Sequence, residues 1–248
     1  LGEIIFRIWK LNFNKDFLKY KDIFKNNKNN FLNTNEKMDK FIDKYNIDKN
    51  IKKQLDVNNI NNLNLEKNNI LQKCSIIDDK DRIEFTNILN EYSNTNFGKI
   101  NENKSLHIYT QLTNEPVIKY DKFTKQIIFN YNDYQWFIGG KIDGILKDKS
   151  IIEVKNRMHK LFRVLKEYEK IQIYSYMFLF NSKKAYLVET YLKNIQPETN
   201  IIDIHFDINY WNSVLVKIEK FINIFYKFFN SEELKLKLLN DGPNNFKL

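Results

Sequence analysis

The sequence predicts an α/β (α+β) fold: a central mixed β-sheet flanked by helices, with an N-terminal helical lobe. Three observations carry that expectation. Residues 116–155 form a series of short runs rich in Ile, Phe, Tyr and Trp, broken by polar turns, as strands do. On both sides lie segments whose apolar residues recur every three or four positions, the rhythm of a helix with one buried face. The resulting order, helix–strands–helix–strands–helix, describes a layered sandwich around one sheet.

Taken in order, residues 1–80 are rich in Lys and Asn, with Phe17, Tyr20 and Phe24 at helical intervals. Asn clusters at Asn26–Asn30 and Asn58–Asn64 interrupt the pattern as loops or helix ends. We read 1–80 as an N-terminal helical region and 81–248 as the core with a C-terminal helix. Ile83, Phe85, Ile88 and Leu89 predict a helix ending near Asn94–Gly98, and Leu106, Tyr109 and Leu112 a second over Asn101–Leu112. Strands are expected at Pro116–Tyr120, Gln126–Tyr131, Trp136–Leu146 and Ser150–Lys155, separated by the breaks Asp121–Lys125 and Lys147–Lys149. A long helix from about Lys160 to Phe180 follows, then strands at Ala185–Tyr191 and Ile201–Ile208. The last element is an amphipathic helix, Tyr210–Phe229, whose stripe of Trp211, Val214, Leu215, Ile218, Phe221, Ile222 and Phe225 fits core packing better than a partner surface.

Composition removes several classes of function. At 248 residues and 42% hydrophobic, with 20 Phe and 14 Tyr, the chain can build one medium domain, or one with a helical appendage. No apolar run approaches about 18 residues, so no membrane partner is expected. The first residues do not read as a secretory leader, which favours an intracellular location with the compartment open. The single cysteine, Cys74, excludes an internal disulfide, a Cys-rich zinc site and a four-Cys iron–sulfur cluster. His107, His159 and His205 lack zinc-type spacing. The formal charge of +9 points to an acidic polymer as partner, DNA first and RNA left open. Part of that charge is compositional, because Asn, Lys and Ile abound throughout, as AT-rich coding favours.

The most informative segment is Gly139-Gly140-Lys141-Ile142-Asp143-Gly144-Ile145-Leu146, followed after a polar turn by Ile151-Ile152-Glu153-Val154-Lys155. Alternate side chains of a strand share a face, so Glu153 and Lys155 project together while Ile152 and Val154 bury on the other side. Asp143, followed by a turn-permitting Gly144, reaches the same place across the hairpin. Two carboxylates converging on a partly buried sheet are costly unless neutralised. A hard divalent cation does this, and oxygen ligands from Asp143, Glu153 and the Val154 carbonyl suit Mg²⁺, with Mn²⁺ able to substitute. Lys155 would then orient a water or stabilise charge developing on a phosphate. As a bare D-x₉-E-x-K pattern, however, the same residues describe a turn aspartate and an exposed ion pair.

Context comes from the motifs around it. Gly98-Lys99-Ile100-Asn101-Glu102 with Ser105, Leu106 and Tyr109, then Asp143-Gly144, then Glu153-Val154-Lys155, then Gln172 with Tyr176, stand in the order of the PD-(D/E)XK nuclease superfamily. The chain resembles its lambda-exonuclease and YqaJ-type, RecB-like branch over roughly residues 98–192. Ile142 stands where many relatives have proline, and Asn156-Arg157 where phage relatives often have cysteine and proline. The E-V-K-N-R form is closer to RecB-like and large-DNA-virus members, and the lone Cys74 disfavours the iron–sulfur ones.

The resemblance implies a restriction-endonuclease-like core, a Mg²⁺-dependent DNase activity and Glu102 as a ligand completing a second metal site. Glu115 competes with Glu102 but sits beside Pro116 in a turn. It implies 5′→3′ exonuclease action on duplex ends, with a structure-specific or cap-snatching-type endonuclease, or a catalytically inactive nucleic-acid-binding module, as alternatives. Lambda-type relatives can be rings, yet no residue here indicates an oligomer. Tyr168, Gln172 and Tyr176 recur every four residues and share a helix face, where Gln172 would support substrate or water. Arg157, Lys160 and Arg163 would hold flanking phosphates. Arg82 is a speculative anchor for a terminal 5′-phosphate, though a solvated arginine is the better reading.

Overall fold

Strand β5 (Ile151–Arg157) organises the sheet, because its residues from Ile151 to Val154 are all buried, as in a strand covered on both faces. It runs parallel to β6 (Lys184–Tyr191), with Glu153 opposite Leu187 and Lys155 opposite Glu189. A parallel pair needs a long crossover, and the stretch containing α8 (Glu167–Leu179) supplies it. Antiparallel neighbours β4 (Gly144–Ile145) and β1 (Ile118–Lys119) lie on one side and β7 (Glu198–His205) on the other, giving the order β1-β4-β5-β6-β7. The fold is therefore mixed α/β, with a five-stranded mixed sheet flanked by helices. Strands β2 (Thr124–Tyr131) and β3 (Tyr134–Gly140) form a separate two-stranded antiparallel sheet. The structure, a computed structural model, describes residues 1–76, 78–131, 133–193 and 196–247, apart from the side chains of residues 29 and 30.

One face of the sheet is closed by α7 (Asp79–Thr113), whose Leu106 and Tyr109 pack on Leu146, Ile152, Val154 and Val188. This single 35-residue helix replaces the two helices expected from the sequence. Gly98 does not break it: a Cβ there would meet nothing within 4 Å, and the Gly98 carbonyl accepts a bond from Asn156 Nδ2 at 2.9 Å. The glycine costs about 1 kcal/mol relative to alanine, which packing at both ends of the helix offsets. The Asp78 carboxylate caps its first turn by accepting from the Asp81 amide, and Asn114 ends it in a left-handed conformation.

Two further expectations shift. The strand expected over Trp136–Leu146 is split into β3 and β4, with Asp143 in the break. The helix expected from Lys160 begins only at Glu167. The amides of Phe162 and Arg163 are held by Glu189, and Arg163 has φ 58°, a geometry that no helix accommodates.

By contacts the chain forms two compact units, residues 38–211 and residues 1–37 with 212–248. These divide the chain differently from a break near residue 80. In the larger unit, α5 (Ile51–Gln54), α6 (Ile60–Lys73) and the part of α4 (Thr34–Lys44) from Met38 onward join the sheet-bearing region. Their Met38, Phe41, Leu55, Leu63 and Ile70 share a core with Phe85, Ile88, Leu89 and Phe97 of α7. The smaller unit holds α1 (Gly2–Asn12), α2 (Asn14–Phe17), α3 (Lys21–Asn26), α9 (Ile208–Phe229) from residue 212, and α10 (Glu232–Asp241). Its core is aromatic, with Trp9 edge-on to Phe17 at 5.0 Å and to Phe228 at 5.3 Å. Inside it Asp16 accepts bonds from Trp9 Nε1 at 2.9 Å and Lys235 Nζ at 2.6 Å. Among the described residues no helix is long and apolar enough to cross a membrane.

Candidate active site

The site grows from the edge of β5. Strand β4 pairs with Ile151 and Ile152 only. Beyond them the Val154 amide donates to Asp143 Oδ2 at 2.8 Å. A strand residue points its N–H and C=O to the same side, so the Val154 carbonyl lies along the edge that Asp143 occupies. Gly144 is needed here for packing rather than for a turn. A Cβ would fall 2.3 Å from Val117 Cγ1, and its backbone is not left-handed.

As alternation requires, Val154 turns toward α7 and Glu153 and Lys155 turn toward α8. Lys155 Nζ donates to Glu153 Oε1 at 2.7 Å and to Gln172 Oε1 at 3.1 Å, and Gln172 Nε2 donates to the Tyr176 hydroxyl at 3.0 Å. The Tyr176 ring lies so close to β3 that a Cβ on Gly140 would be 2.5 Å from its Cε1. Asp143, Glu153, Lys155, Gln172 and Tyr176 are thus brought together by a strand, a break before another strand and one helix.

Electrostatics make this cluster unusual. Burial pushes the Asp143 carboxyl up to about 6, with the nearby Glu102 adding to the effect and the Val154 amide opposing it. Burial and then Asp143 push Glu153, which is 3% exposed, up to about 7. Burial disfavours the Lys155 ammonium, but Glu153 beside it more than compensates and holds it above the ordinary lysine value. Each carboxylate keeps one oxygen, Asp143 Oδ1 and Glu153 Oε2, that accepts no hydrogen bond from a described residue. Two raised carboxyls, Glu153 buried and Asp143 half-buried, with free oxygens beside a strand carbonyl, fit a hard divalent cation. Among the described residues no three His, Cys, Asp or Glu side chains form a metal-ligating group. The donors that could hold such a cation are the two carboxylates and the Val154 carbonyl. Glu102, whose charge raises both Asp143 and Glu153, is paired with Lys119 Nζ at 3.5 Å. Glu115 accepts from the Tyr109 hydroxyl at 3.0 Å.

The proposed phosphate contacts divide sharply. Arg157 is buried: its Nη1 pairs with Glu169 Oε1 at 2.8 Å, its Nε bonds Glu189 Oε1 at 2.8 Å, and its guanidinium lies 4.1 Å from the Phe162 ring centre. Its charge is committed inside the fold, not presented to a ligand. Lys160 and Arg163 are exposed in the loop before α8. Arg82 is exposed near the start of α7, 20 residues before Glu102. At 1.5 Å per residue that places it about 30 Å along the helix from Glu102, far from the cluster at β5.

Sequence reasoning missed three contributors. Lys119 pairs with Glu102 and bonds Asn103 Oδ1 at 2.9 Å. Glu189 accepts from Arg157, the Phe162 and Arg163 amides and Asn200. A polar set, buried Ser105 and Thr190 with half-buried Asn156, ties α7 to β5 and β6, with both hydroxyls 2.7 Å from Asn156 Oδ1. A Glu inside an apolar strand was the available signal for Glu189; Lys119 gave none.

No family model and no curated protein matches the chain. Among solved structures it is similar to that of SSO0001, at 18% identity and a TM-score of 0.35, over 57% of this chain and 60% of that one. The matched region thus spans less than two thirds of that protein's length. It is also similar to an alkaline exonuclease from Laribacter hongkongensis, at 13% identity and a TM-score of 0.40, over 77% of this chain and 89% of that one.

Proposed function

We propose that the chain is a metal-dependent nuclease that hydrolyses phosphodiester bonds in DNA. The observation that carries this reading is the convergence of Asp143, Glu153, Lys155 and Gln172 at one edge of β5, with both carboxyls raised by burial. Asp143 and Glu153 would hold Mg²⁺ or Mn²⁺ through their free oxygens, with the Val154 carbonyl beside them and Glu102 serving a second position. When bound, the ion supplies Lewis-acid polarisation of the scissile phosphate.

The chain's own residues do the rest. Lys155 is held as an ammonium, so it acts as a hydrogen-bond donor and positive charge, not as a base. Two of its three protons are taken by Glu153 and Gln172, leaving one to aim at an attacking water or a phosphate oxygen. Tyr176 accepts from the Gln172 amide nitrogen and so turns the amide oxygen toward Lys155. The finer reading is 5′→3′ exonuclease action on duplex ends, supported by the motif order from Glu102 to Gln172.

The test is incubation of linear and covalently closed circular DNA with Mg²⁺, using wild type, Asp143→Ala and Lys155→Ala. Loss of linear DNA only with wild type supports the reading, and end-labelled duplexes give the direction. Cleavage of closed circles would make the enzyme an endonuclease. Wild type and both variants binding DNA but leaving it intact would reduce the chain to a binding module.

A further inference from the structure

We propose that the outer face of the β2–β3 hairpin is a stacking platform for unpaired nucleobases. Alternation along β3 turns Gly140 toward the Tyr176 ring of α8 and leaves Phe137 and Gly139 on the opposite face. Across the ladder Ile127 stands opposite Phe137, and Lys125 opposite Gly139. Phe123, Ile127 and Phe137 are 60%, 50% and 47% exposed, on a sheet of only two strands. Gly139 lets the Phe123 ring approach the backbone, since a Cβ there would fall 2.6 Å from Cζ. Lys125 Nζ lies 5.0 Å from the centre of the Phe137 ring.

Three features select single-stranded nucleic acid as the occupant. The segment 119–141 carries Lys122, Lys125 and Lys141 against Asp121 and Asp133, besides Lys119, which is paired with Glu102; this small excess suits a polyanion. Exposed rings with a lysine over one of them match base stacking with a phosphate nearby. A duplex, whose bases are already stacked, gains nothing from these rings. Position supplies the third: β3 ends three residues before Asp143, so an extended chain places the platform's end within about 10 Å of that carboxylate. That distance suits a strand whose unpaired end is held while a bond near Asp143 is cut. This last point rests on the nuclease reading; the stacking itself does not.

The experiment measures binding in EDTA, without cleavage. The probes are a single-stranded oligodeoxynucleotide containing 2-aminopurine and the matching blunt duplex. Wild type should bind the single strand with a change in 2-aminopurine fluorescence. Phe123→Ala/Phe137→Ala should weaken that binding by about tenfold or more and abolish the change. Duplex affinity and the salt dependence of binding should stay as in wild type, because no phosphate contact is removed. Ile127→Tyr, which adds a ring, should tighten single-strand binding. Equal single-strand affinity in all three proteins overturns the proposal. So does an equal loss on single strand and duplex, or a wild-type dimer that the double substitution converts to monomer. Stacking without any Mg²⁺-dependent cleavage would leave the platform standing and sink the nuclease reading; cleavage without stacking would do the reverse.

Discussion

The Asp143 carboxylate accepts the Val154 amide at 2.8 Å, so a side chain stands where a neighbouring strand would otherwise pair with β5. Asp143 therefore has a structural task beside the chemical one proposed for it, and substitutions separate them. Asparagine keeps an acceptor and loses the charge, escaping the burial cost that lifts the Asp143 carboxyl to about 6. Asp143→Asn should melt at or above wild type while cleavage falls by about 100-fold or more. Asp143→Ala should lose cleavage and also about 1 kcal/mol of stability. Calorimetry beside a nuclease assay checks both; wild-type cleavage by the asparagine variant would remove Asp143 from the chemistry.

Cation binding and pH should be linked through the same pair. Asp143 and Glu153 are raised to about 6 and about 7 from ordinary values of 3.8 and 4.5. The metal-free folded state thus holds protons that the unfolded state has released, and stability falls as pH rises from about 4 to about 7. A cation that binds the ionised pair reverses this. At a hundredfold excess over Kd, Mg²⁺ should stabilise by about 2.7 kcal/mol at pH 8, and by much less below pH 6. Thermal melts across pH with Mg²⁺ and with EDTA read this directly. A Mg²⁺ effect independent of pH would count against the assigned ligands.

Lys155, Gln172 and Tyr176 form a graded series. Lys155→Ala should cost about 100-fold or more in rate, the scale of a lost charge-stabilising donor. Gln172→Ala should cost less, since it only frees the ammonium, and Tyr176→Phe least, since it only releases the amide. Gly140→Ala, which drives a methyl into the Tyr176 ring, should behave worse than Tyr176→Phe. Single-turnover rates order the four variants.

Arg157 should prove structural. Its removal leaves Glu169 and Glu189 buried without their cation, a loss of about 3–5 kcal/mol. Lys160→Ala and Arg163→Ala, both on exposed side chains, should leave stability alone and reduce the salt slope of DNA binding by about 1 each. An Arg157→Ala protein that melts like wild type and binds DNA weakly would reverse this assignment.

The smaller unit carries its own acid-sensitive pair. Burial tends to raise Asp16, but hydrogen bonds from Lys235 and Trp9 outweigh it and hold the carboxyl below its ordinary 3.8. A lowered carboxyl contributes stability above its unfolded pKa, and this is lost as pH falls through the lower folded value. Asp16→Asn should flatten acid denaturation below about pH 4 and destabilise at neutrality by leaving Lys235 buried without its anion. Asp16→Leu/Lys235→Met should recover most of that loss.

The shared face of Glu153 and Lys155 on β5 was legible because strand alternation depends on residue order alone, which put Val154 behind them. Gln172 and Tyr176 followed from helical spacing. Arg157 was misread because a charged residue two places beyond Lys155 looks solvent-facing unless its partners are known. Glu169 and Glu189 come from a helix and a strand further along the chain. Gly98 misled for a related reason, since local propensity marks a helix end there while packing on both sides carries α7 through. The start of α8 was lost to Glu189 fixing two amides at long range, which no local pattern announces.

The continuity of α7 also bears on how the chain tolerates cutting. One rod carries Phe85, Ile88, Leu89 and, near its middle, Phe97, with Glu102, Leu106 and Tyr109 farther along. A fragment beginning at residue 81 would expose the first set as a greasy stripe, having discarded Met38 through Ile70 that cover it. Fraying at that end would spread along the rod toward the carboxylate and the sheet. The helices of residues 38–76 therefore act as a splint for the sheet-bearing half, and a trimmed version should be sought by shortening loops, not by removing that layer.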